Sequence, residues 1–174
     1  MAKTAVIGAG SWGIALAKVL HTNGQEVTVW SIVKEEIAML KEKHEHTEKL
    51  PGVKLPEDMI FTTDLEEAVA GKDYLILAVP SVFTRSTAKS MAPFVKEGQV
   101  IVCVAKGIEE ETLMTLSDIV EQEIPAASVA VMCGPSHAEE VGIGLPTTVV
   151  AGAKKRSVAE GVQDIFMNDV FRVY

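Results

Sequence analysis

Short apolar runs alternate along this chain with longer stretches of helical periodicity. The apolar runs have the length of strands, and the predicted strands are Thr4–Ile7, Glu26–Trp30, Met59–Thr62, Tyr74–Val79, Val100–Val104, Val129–Cys133 and Thr147–Val150. The predicted helices are Ser11–Asn23, Lys34–His46, Leu65–Ala70, Val82–Pro93, Glu111–Gln122 and Lys154–Met167. This alternation predicts an α/β fold with a mostly parallel sheet and helices on both of its faces.

A glycine-rich turn directly follows the first predicted strand. The sequence Gly8-Ala9-Gly10-Ser11-Trp12-Gly13 leads into a stretch of helical periodicity. In such a turn Gly8 permits the tight bend, Gly10 lets the backbone approach a diphosphate, and Gly13 lets helix and strand pack closely. The unpaired N–H groups of the helix N-terminus attract the anion. We therefore predict a doubly wound, Rossmann-type sheet that binds a dinucleotide, although an ordinary strand–turn–helix shares the same outline.

Composition limits the class of protein. With 174 residues the chain suffices for one compact unit but not for two full domains. Hydrophobic residues make up 48% and charged residues 23%, which is typical of a globular α/β protein and not of a disordered chain. The formal net charge of −8 disfavours a nucleic-acid surface, because a phosphate backbone would be repelled.

Membrane, redox and metal signals are weak. No apolar run is long enough to span a membrane and no amino-terminal signal pattern is present, so we expect a cytoplasmic protein without membrane insertion. Cys103 and Cys133 each lie near the end of an apolar run, which predicts buried reduced thiols rather than a disulfide or a zinc site. His44 and His46 lie at a heavily charged helix end, where we expect a solvated face rather than a metal site.

Residues that follow the strands are the natural site candidates, because ligands of open parallel sheets bind beyond the carboxyl ends of the strands. Phe83 either lies against a nicotinamide or ribose or packs in the core of the next helix. Lys106, beside Gly107, either binds a substrate hydroxyl or phosphate or is an ordinary solvated lysine. Gly134 and Ser136 follow the sixth strand, where a helix N-cap would equally explain the serine.

Two segments differ from the regular alternation of strands and helices. Lys49–Asp58 contains two prolines and a glycine and predicts a surface loop. The run Val170–Tyr174 ends the sequence without a polar tail, which leads us to expect a truncated protein.

Four motifs together resemble the bacterial NAD(P)-dependent glycerol-3-phosphate dehydrogenases. They are the glycine turn Gly8–Gly13, then Ala78-Val79-Pro80-Ser81, Ala105-Lys106-Gly107-Ile108-Glu109, and Gly134-Pro135-Ser136-His137-Ala138-Glu139-Glu140-Val141. The resemblance covers residues 1–174 as an N-terminal dinucleotide-binding domain, about the first half of a family member. It implies that the helical carboxyl-terminal domain, with the family's proton-transferring lysine, is missing, so that this chain holds no catalytic residue.

The resemblance implies reduction of dihydroxyacetone phosphate to sn-glycerol 3-phosphate with NAD(P)H, for glycerophospholipid synthesis. By matching position, the residues it assigns to the NAD or NADP cofactor are Gly8, Gly10, Ser11, Trp12, Gly13, Phe83, Lys106 and Ala138. The residues it assigns to substrate are Lys106, Gly134 and Ser136. It further implies a homodimer for the full-length protein and no metal.

The chain departs from the family pattern after the second strand. Many members have His or Arg there, whereas this chain has Ser31-Ile32-Val33-Lys34. No carboxylate stands at the strand end to bind a ribose diol, because Glu35 and Glu36 fall inside the next helix. We therefore expect NADPH to be accepted at least as well as NADH, with Lys34 or Ser31 reaching its 2′-phosphate.

Two other functions share the glycine turn. One is a related dehydrogenase for another hydroxy acid or sugar acid, against which the segment Gly134-Pro135-Ser136 argues. The other is a non-catalytic module that senses dinucleotides.

Overall fold

A computed structural model describes residues 1–174 and contains one eight-stranded sheet. Its strands are β1 (Lys3–Ile7), β2 (Glu26–Trp30), β3 (Ile60–Thr62), β4 (Tyr74–Leu77), β5 (Val100–Cys103), β6 (Ser128–Cys133), β7 (Thr147–Ala153) and β8 (Phe171–Val173). The helices are α1 (Ser11–Thr22), α2 (Lys34–Lys43), α3 (Leu65–Val69), α4 (Thr84–Met91), α5 (Leu116–Glu123), α6 (Ala138–Gly142) and α7 (Arg156–Phe166). A 3-10 turn, Ser81–Phe83, precedes α4.

The sheet has the order β3-β2-β1-β4-β5-β6-β7-β8, and only the β6–β7 pair is antiparallel. The strand order reverses between β1 and β4, and in doubly wound sheets ligands bind in the crevice at that point. The predicted fold class, a mostly parallel and doubly wound sheet, is confirmed.

Two hydrophobic cores lie on opposite faces of the sheet because strand side chains alternate in direction. The larger core contains Val6 of β1 together with residues of α1, α2, α6 and α7. The smaller core contains Ala5 and Ile7 of the same strand together with residues of α3, α4 and α5. Helices therefore cover both faces, as the alternating pattern predicts.

Most predicted element boundaries agree with the structure within about three residues. The exception is the helix predicted to begin at Glu111, since α5 begins only at Leu116. Thr115 caps this helix by accepting a hydrogen bond from the backbone N–H of Asp118 at 3.3 Å. The preceding residues form a loop closed by an isolated bridge between Ile108 and Thr115.

The segment Lys49–Asp58 has irregular backbone but is not simply a surface loop. Leu50, Val53 and Leu55 are buried in the larger core. A Cβ added at Gly142 of α6 would lie only 2.8 Å from Val53, so this segment packs directly against α6. The prediction of a surface loop is therefore wrong for these apolar side chains, because periodicity does not detect burial in an irregular segment.

Two further predictions about single residues are wrong. His46 is fully buried rather than solvated, and Cys133 is exposed although Cys103 is buried as predicted. Both cysteines are free thiols. No group of three or more His, Cys, Asp or Glu side chains is placed to hold a metal ion. The structure contains no helix with the length and apolar character needed to cross a membrane.

Candidate functional site

The three glycines of the β1–α1 turn meet three different physical requirements. Gly8 has φ +117°, and an added Cβ would lie 2.9 Å from the backbone of Ala78. A Cβ at Gly13 would lie 2.1 Å from the carbonyl oxygen of Gly8. A Cβ at Gly10 would meet no atom within 4 Å. Gly8 and Gly13 are therefore required by packing, whereas Gly10 keeps an open surface free of a side chain.

The N-terminus of α1 faces this open surface. Gly10 is the N-cap residue, and no side chain accepts a hydrogen bond from the first turn. The first N–H groups of a helix have no partner within the helix, so they are available to a bound anion. The first turn also contains no acidic residue that would repel one. This arrangement fits the diphosphate of a dinucleotide.

A cavity of about 340 Å³ lies on one side of the turn. It spans the carboxyl ends of β2, β1 and β4, which meet where the strand order reverses. Phe83 contributes to its wall and is 56% exposed, so the alternative that this residue belongs to the helix core is wrong. The full lining is Gly8, Ala9, Gly10, Trp30, Ser31, Ile32, Val33, Glu36, Lys49, Ala78, Val79, Pro80, Phe83, Ser86 and Thr87.

A charged cluster occupies the β2 end of this first cavity. The hydroxyl of Ser31 donates a hydrogen bond to Glu36 Oε2 at 2.6 Å, and the Lys49 ammonium donates to Glu36 Oε1. The buried His46 Nε2 lies 3.6 Å from the same Oε1. Burial raises the pKa of Glu36, but the hydrogen bonds from Lys49 and Ser31 outweigh it, so the net pKa lies below its ordinary value. The carboxylate is therefore ionised and paired.

This cluster corrects the expectation about the adenosine ribose. Glu36 belongs to the first turn of α2, yet its side chain reaches back to Ser31 and lines the cavity. The premise that no carboxylate stands at this position is therefore wrong. The nearby cation is also different, because Lys49 lines the cavity and Lys34 does not.

A second cavity of about 350 Å³ lies on the other side of the turn, where Ser11 and Trp12 form one wall. The opposite wall brings together Lys106, Ser136 and Ala138, which come from the ends of β5 and β6. Its full lining is Ser11, Trp12, Val104, Ala105, Lys106, Ser136, His137, Ala138 and Glu139. Five of the candidate residues, which come from three separate turns, thus share one cavity, whereas the candidate Gly134 does not line it.

Two hydrogen bonds converge on one carbonyl oxygen beside the second cavity. Lys106 Nζ donates to the carbonyl oxygen of Gly134 at 3.0 Å, and the Ser136 hydroxyl donates to the same oxygen at 3.3 Å. Ser136 does not cap α6, because His137 is the N-cap residue and no side chain caps this helix. The N-cap explanation for Ser136 is therefore wrong, and its hydroxyl lies beside the lysine instead.

The sequence did not single out two polar residues of the first cavity. By sequence, Glu36 is only a residue of a predicted helix, and Lys49 is only the start of a predicted loop. A serine at a strand end followed five residues later by a glutamate is the one local signal that could have found Glu36, whereas nothing local predicts the approach of Lys49.

Comparisons with known proteins point to one family. A sequence profile described as NAD-dependent glycerol-3-phosphate dehydrogenase N-terminus matches residues 3–159. A glycerol-3-phosphate dehydrogenase [NAD(P)+] of Agathobacter rectalis is 71% identical over all 174 residues, and one of Fusobacterium nucleatum is 52% identical over the whole chain. The chain spans about half the length of these relatives, 52% of each.

A solved structure gives the same result. The crystal structure of glycerol-3-phosphate dehydrogenase from Coxiella burnetii superposes with a TM-score of 0.94 at 29% sequence identity. The match covers 99% of this chain and 53% of that one.

Proposed function

Because the chain belongs to the family of NAD-dependent glycerol-3-phosphate dehydrogenases, we propose that it forms the dinucleotide-binding part of an enzyme that reduces dihydroxyacetone phosphate to sn-glycerol 3-phosphate. The observation that carries the proposal is the uncapped N-terminus of α1 between two cavities, one of them holding Lys106 and Ser136. Family membership favours a triose phosphate over the hydroxy acids and sugar acids of related dehydrogenases.

We place the cofactor, NAD or NADP, across the glycine turn. Its diphosphate lies against the first N–H groups of α1, over the open surface at Gly10. Its adenosine half occupies the first cavity near Ser31, and its nicotinamide half points toward Lys106 in the second. In this placement Ser11, Trp12, Phe83 and Ala138 also contact the cofactor, while Gly8 and Gly13 shape the turn.

The substrate lies beside the nicotinamide half. Lys106 is exposed and donates only to the Gly134 carbonyl, so its ammonium can turn toward a substrate hydroxyl or phosphate. The Ser136 hydroxyl, on the same carbonyl, supplies a second donor. When bound, the cofactor supplies the hydride for the ketone carbon. We assign the proton for the developing alkoxide to a lysine of a helical carboxyl-terminal domain outside residues 1–174.

We also propose a cytoplasmic location and a homodimeric full-length enzyme that supplies glycerophospholipid synthesis. Two free cysteines suit a reducing compartment.

Calorimetry with each cofactor and an assay of ketone reduction test the proposal. We expect residues 1–174 to bind NADH or NADPH but to turn over dihydroxyacetone phosphate slowly or not at all, because the proton-transferring lysine lies elsewhere. Absence of binding at millimolar concentrations of both cofactors would overturn the cofactor assignment. Turnover comparable to that of an intact relative would overturn the assignment of the proton transfer to another domain.

A further inference from the structure

The loop that carries Lys106 contains no helix or strand, although its backbone makes two internal hydrogen bonds, from the N–H of Glu109 to the Met114 carbonyl and from the N–H of Leu113 to the Glu109 carbonyl, each at 2.9 Å. It joins β5, which ends at Cys103, to α5, which begins at Leu116. Within it the isolated bridge between Ile108 and Thr115 is the only strand-like pairing. Most of its side chains are exposed, so the loop gains little stability from apolar burial. The internal bonds join residues 108–115 to one another, so contacts from outside the loop determine where it lies relative to α4.

An arginine of α4 provides the strongest of these contacts. Arg85 binds Glu109 through both carboxylate oxygens, with Nε donating to Oε1 at 2.7 Å and Nη2 donating to Oε2 at 2.6 Å. Its Nη1 donates to Gln122 at 2.8 Å and to the Glu123 carboxylate, both on α5. One guanidinium thus joins α4, the loop and α5.

The root of the loop also packs closely against the segment that precedes α4. Gly107 has φ +134°, and a Cβ there would lie 3.1 Å from Cβ of Ser81. Lys106 immediately precedes Gly107, and Glu109 follows Gly107 by two residues. The ion pair and the close approach therefore fix the chain on the carboxyl side of the lysine.

We propose that Arg85 is a positioning residue, which acts through Glu109 to hold the Lys106 loop against α4 so that the lysine points into the second cavity. This inference rests on the proposed function, since it concerns how Lys106 meets the substrate phosphate or hydroxyl. Arg85 lines neither cavity beside the glycine turn and touches neither Lys106 nor Ser136. Its effect is therefore on the geometry of the loop and not on the cofactor.

The test compares Arg85→Met and Glu109→Gln with the wild-type chain. Arg156→Met is the matched control, because this arginine also pairs with a glutamate but is 90% exposed and remote from the loop. The acetylation rate of Lys106 is followed by mass spectrometry without ligand, with NADH, and with NADH plus dihydroxyacetone phosphate. Acetylation of Lys96, an exposed lysine outside the loop, controls for differences in reagent and conditions between samples. Calorimetry gives the Kd for NADH, whose binding requires the folded chain.

We expect Lys106 to be acetylated about fivefold faster in both loop variants when no ligand is present. Without the pair between Arg85 and Glu109 the loop no longer holds the ammonium in place, and a change of this size is within the range for coupled residues. We also expect dihydroxyacetone phosphate to protect Lys106 no longer in either variant. The Kd for NADH and the acetylation rate of Lys96 should stay within about twofold of the wild type, as is typical of sites that are not coupled. The Arg156 control should match the wild type. If the pair between Arg85 and Glu109 were purely structural, dihydroxyacetone phosphate would still protect Lys106 in both variants. Loss of that protection therefore distinguishes a positioning role from a structural one.

The outcomes separate this inference from the proposed function. An unchanged acetylation rate of Lys106 in both loop variants would overturn the positioning role, whatever the substrate. Loss of NADH binding in parallel with the change at Lys106 would also overturn it, because the effect would then be global. If the wild-type chain bound NADH but dihydroxyacetone phosphate gave Lys106 no protection, the assigned substrate contact would fail, and the unliganded rates would still decide the positioning role.

Discussion

The hydroxyl of Ser31, at the carboxyl end of β2, donates a 2.6 Å hydrogen bond to the carboxylate of Glu36 in α2. Doubly wound enzymes that bind NAD place a carboxylate near this point to bind the ribose diol. Here the carboxylate is paired with Lys49, so a negative and a positive group stand together at the expected position of the adenosine 2′-substituent. The expectation that NADPH binds at least as well as NADH stays a prediction.

Substituting the two members of this pair should shift the preference between NADH and NADPH in opposite directions. Lys49→Met removes the cation available to a 2′-phosphate and should weaken NADPH binding about tenfold while leaving NADH nearly unchanged. Glu36→Gln removes the opposing charge and should shift the ratio of the Kd values toward NADPH. Calorimetric titration of both cofactors measures the ratio.

Lys34→Met is the control for this pair, because Lys34 is exposed and does not line the cavity. We expect it to leave the ratio of Kd values unchanged. An equal loss of NADH and NADPH affinity in Lys49→Met would contradict a role in reading the 2′-position.

Substitutions at two glycines of the turn should separate binding from folding. Gly13→Ala forces a Cβ to 2.1 Å from the Gly8 carbonyl, so helix and strand must move apart, which costs about 1–3 kcal/mol or more in the free energy of unfolding. Gly10→Ala meets no neighbour and Gly10 has φ −68°, so it should leave stability nearly unchanged. The new methyl group should nevertheless weaken dinucleotide binding, since it enters the surface where the diphosphate lies.

Urea unfolding and cofactor titration of both variants measure these two effects. Gly24→Ala is a useful third variant, because Gly24 has φ +77° and lies far from the turn. It should lower stability without a specific effect on binding. Full cofactor affinity in Gly10→Ala would count against the placement of the diphosphate.

The sequence predicts the fold and the turn well but predicts the first cavity poorly. Strand and helix periodicity is a local property, so the elements and the motif Gly8–Gly13 could be recognised residue by residue. The approach of Lys49 to Glu36 depends on how an irregular segment returns to α2, which is a non-local property. The burial of His46 beside this pair has the same origin.

The ion pair between Arg85 and Glu109 should make stability depend on pH in the acid range. The hydrogen bonds from Arg85 and Thr112 lower the pKa of Glu109 from its ordinary value of 4.5 to about 2. A carboxyl group whose pKa is lower in the folded state than in the unfolded state stabilises the folded state at pH values above its ordinary pKa. This contribution is lost as the pH falls toward about 2.

We therefore expect Glu109→Gln to be less stable than the wild type at neutral pH, with a difference that shrinks between pH 4.5 and about 2. Urea unfolding at a series of pH values measures it. The variant Glu160→Gln, which breaks an exposed pair with Arg156, should show little difference at any pH. A difference for Glu109→Gln that grew on acidification would have the wrong sign for this pair.

The two thiols should differ sharply in reactivity. Burial, and to a smaller extent the charge of Glu121, raises the pKa of Cys103 to about 12, whereas Cys133 is exposed at the end of β6. Because the thiolate is the reactive form, a disulfide reagent at about pH 8 should modify Cys133 rapidly and Cys103 only after unfolding. Each modified cysteine releases one coloured thiol from a chromogenic disulfide reagent. The native protein should therefore release about one equivalent and the urea-unfolded protein about two. Cys133→Ser should abolish the reaction of the native protein, and Cys103→Ser should leave it unchanged. Two rapidly reacting thiols in the native protein would contradict this prediction, because the reagent would then reach Cys103 in the smaller core.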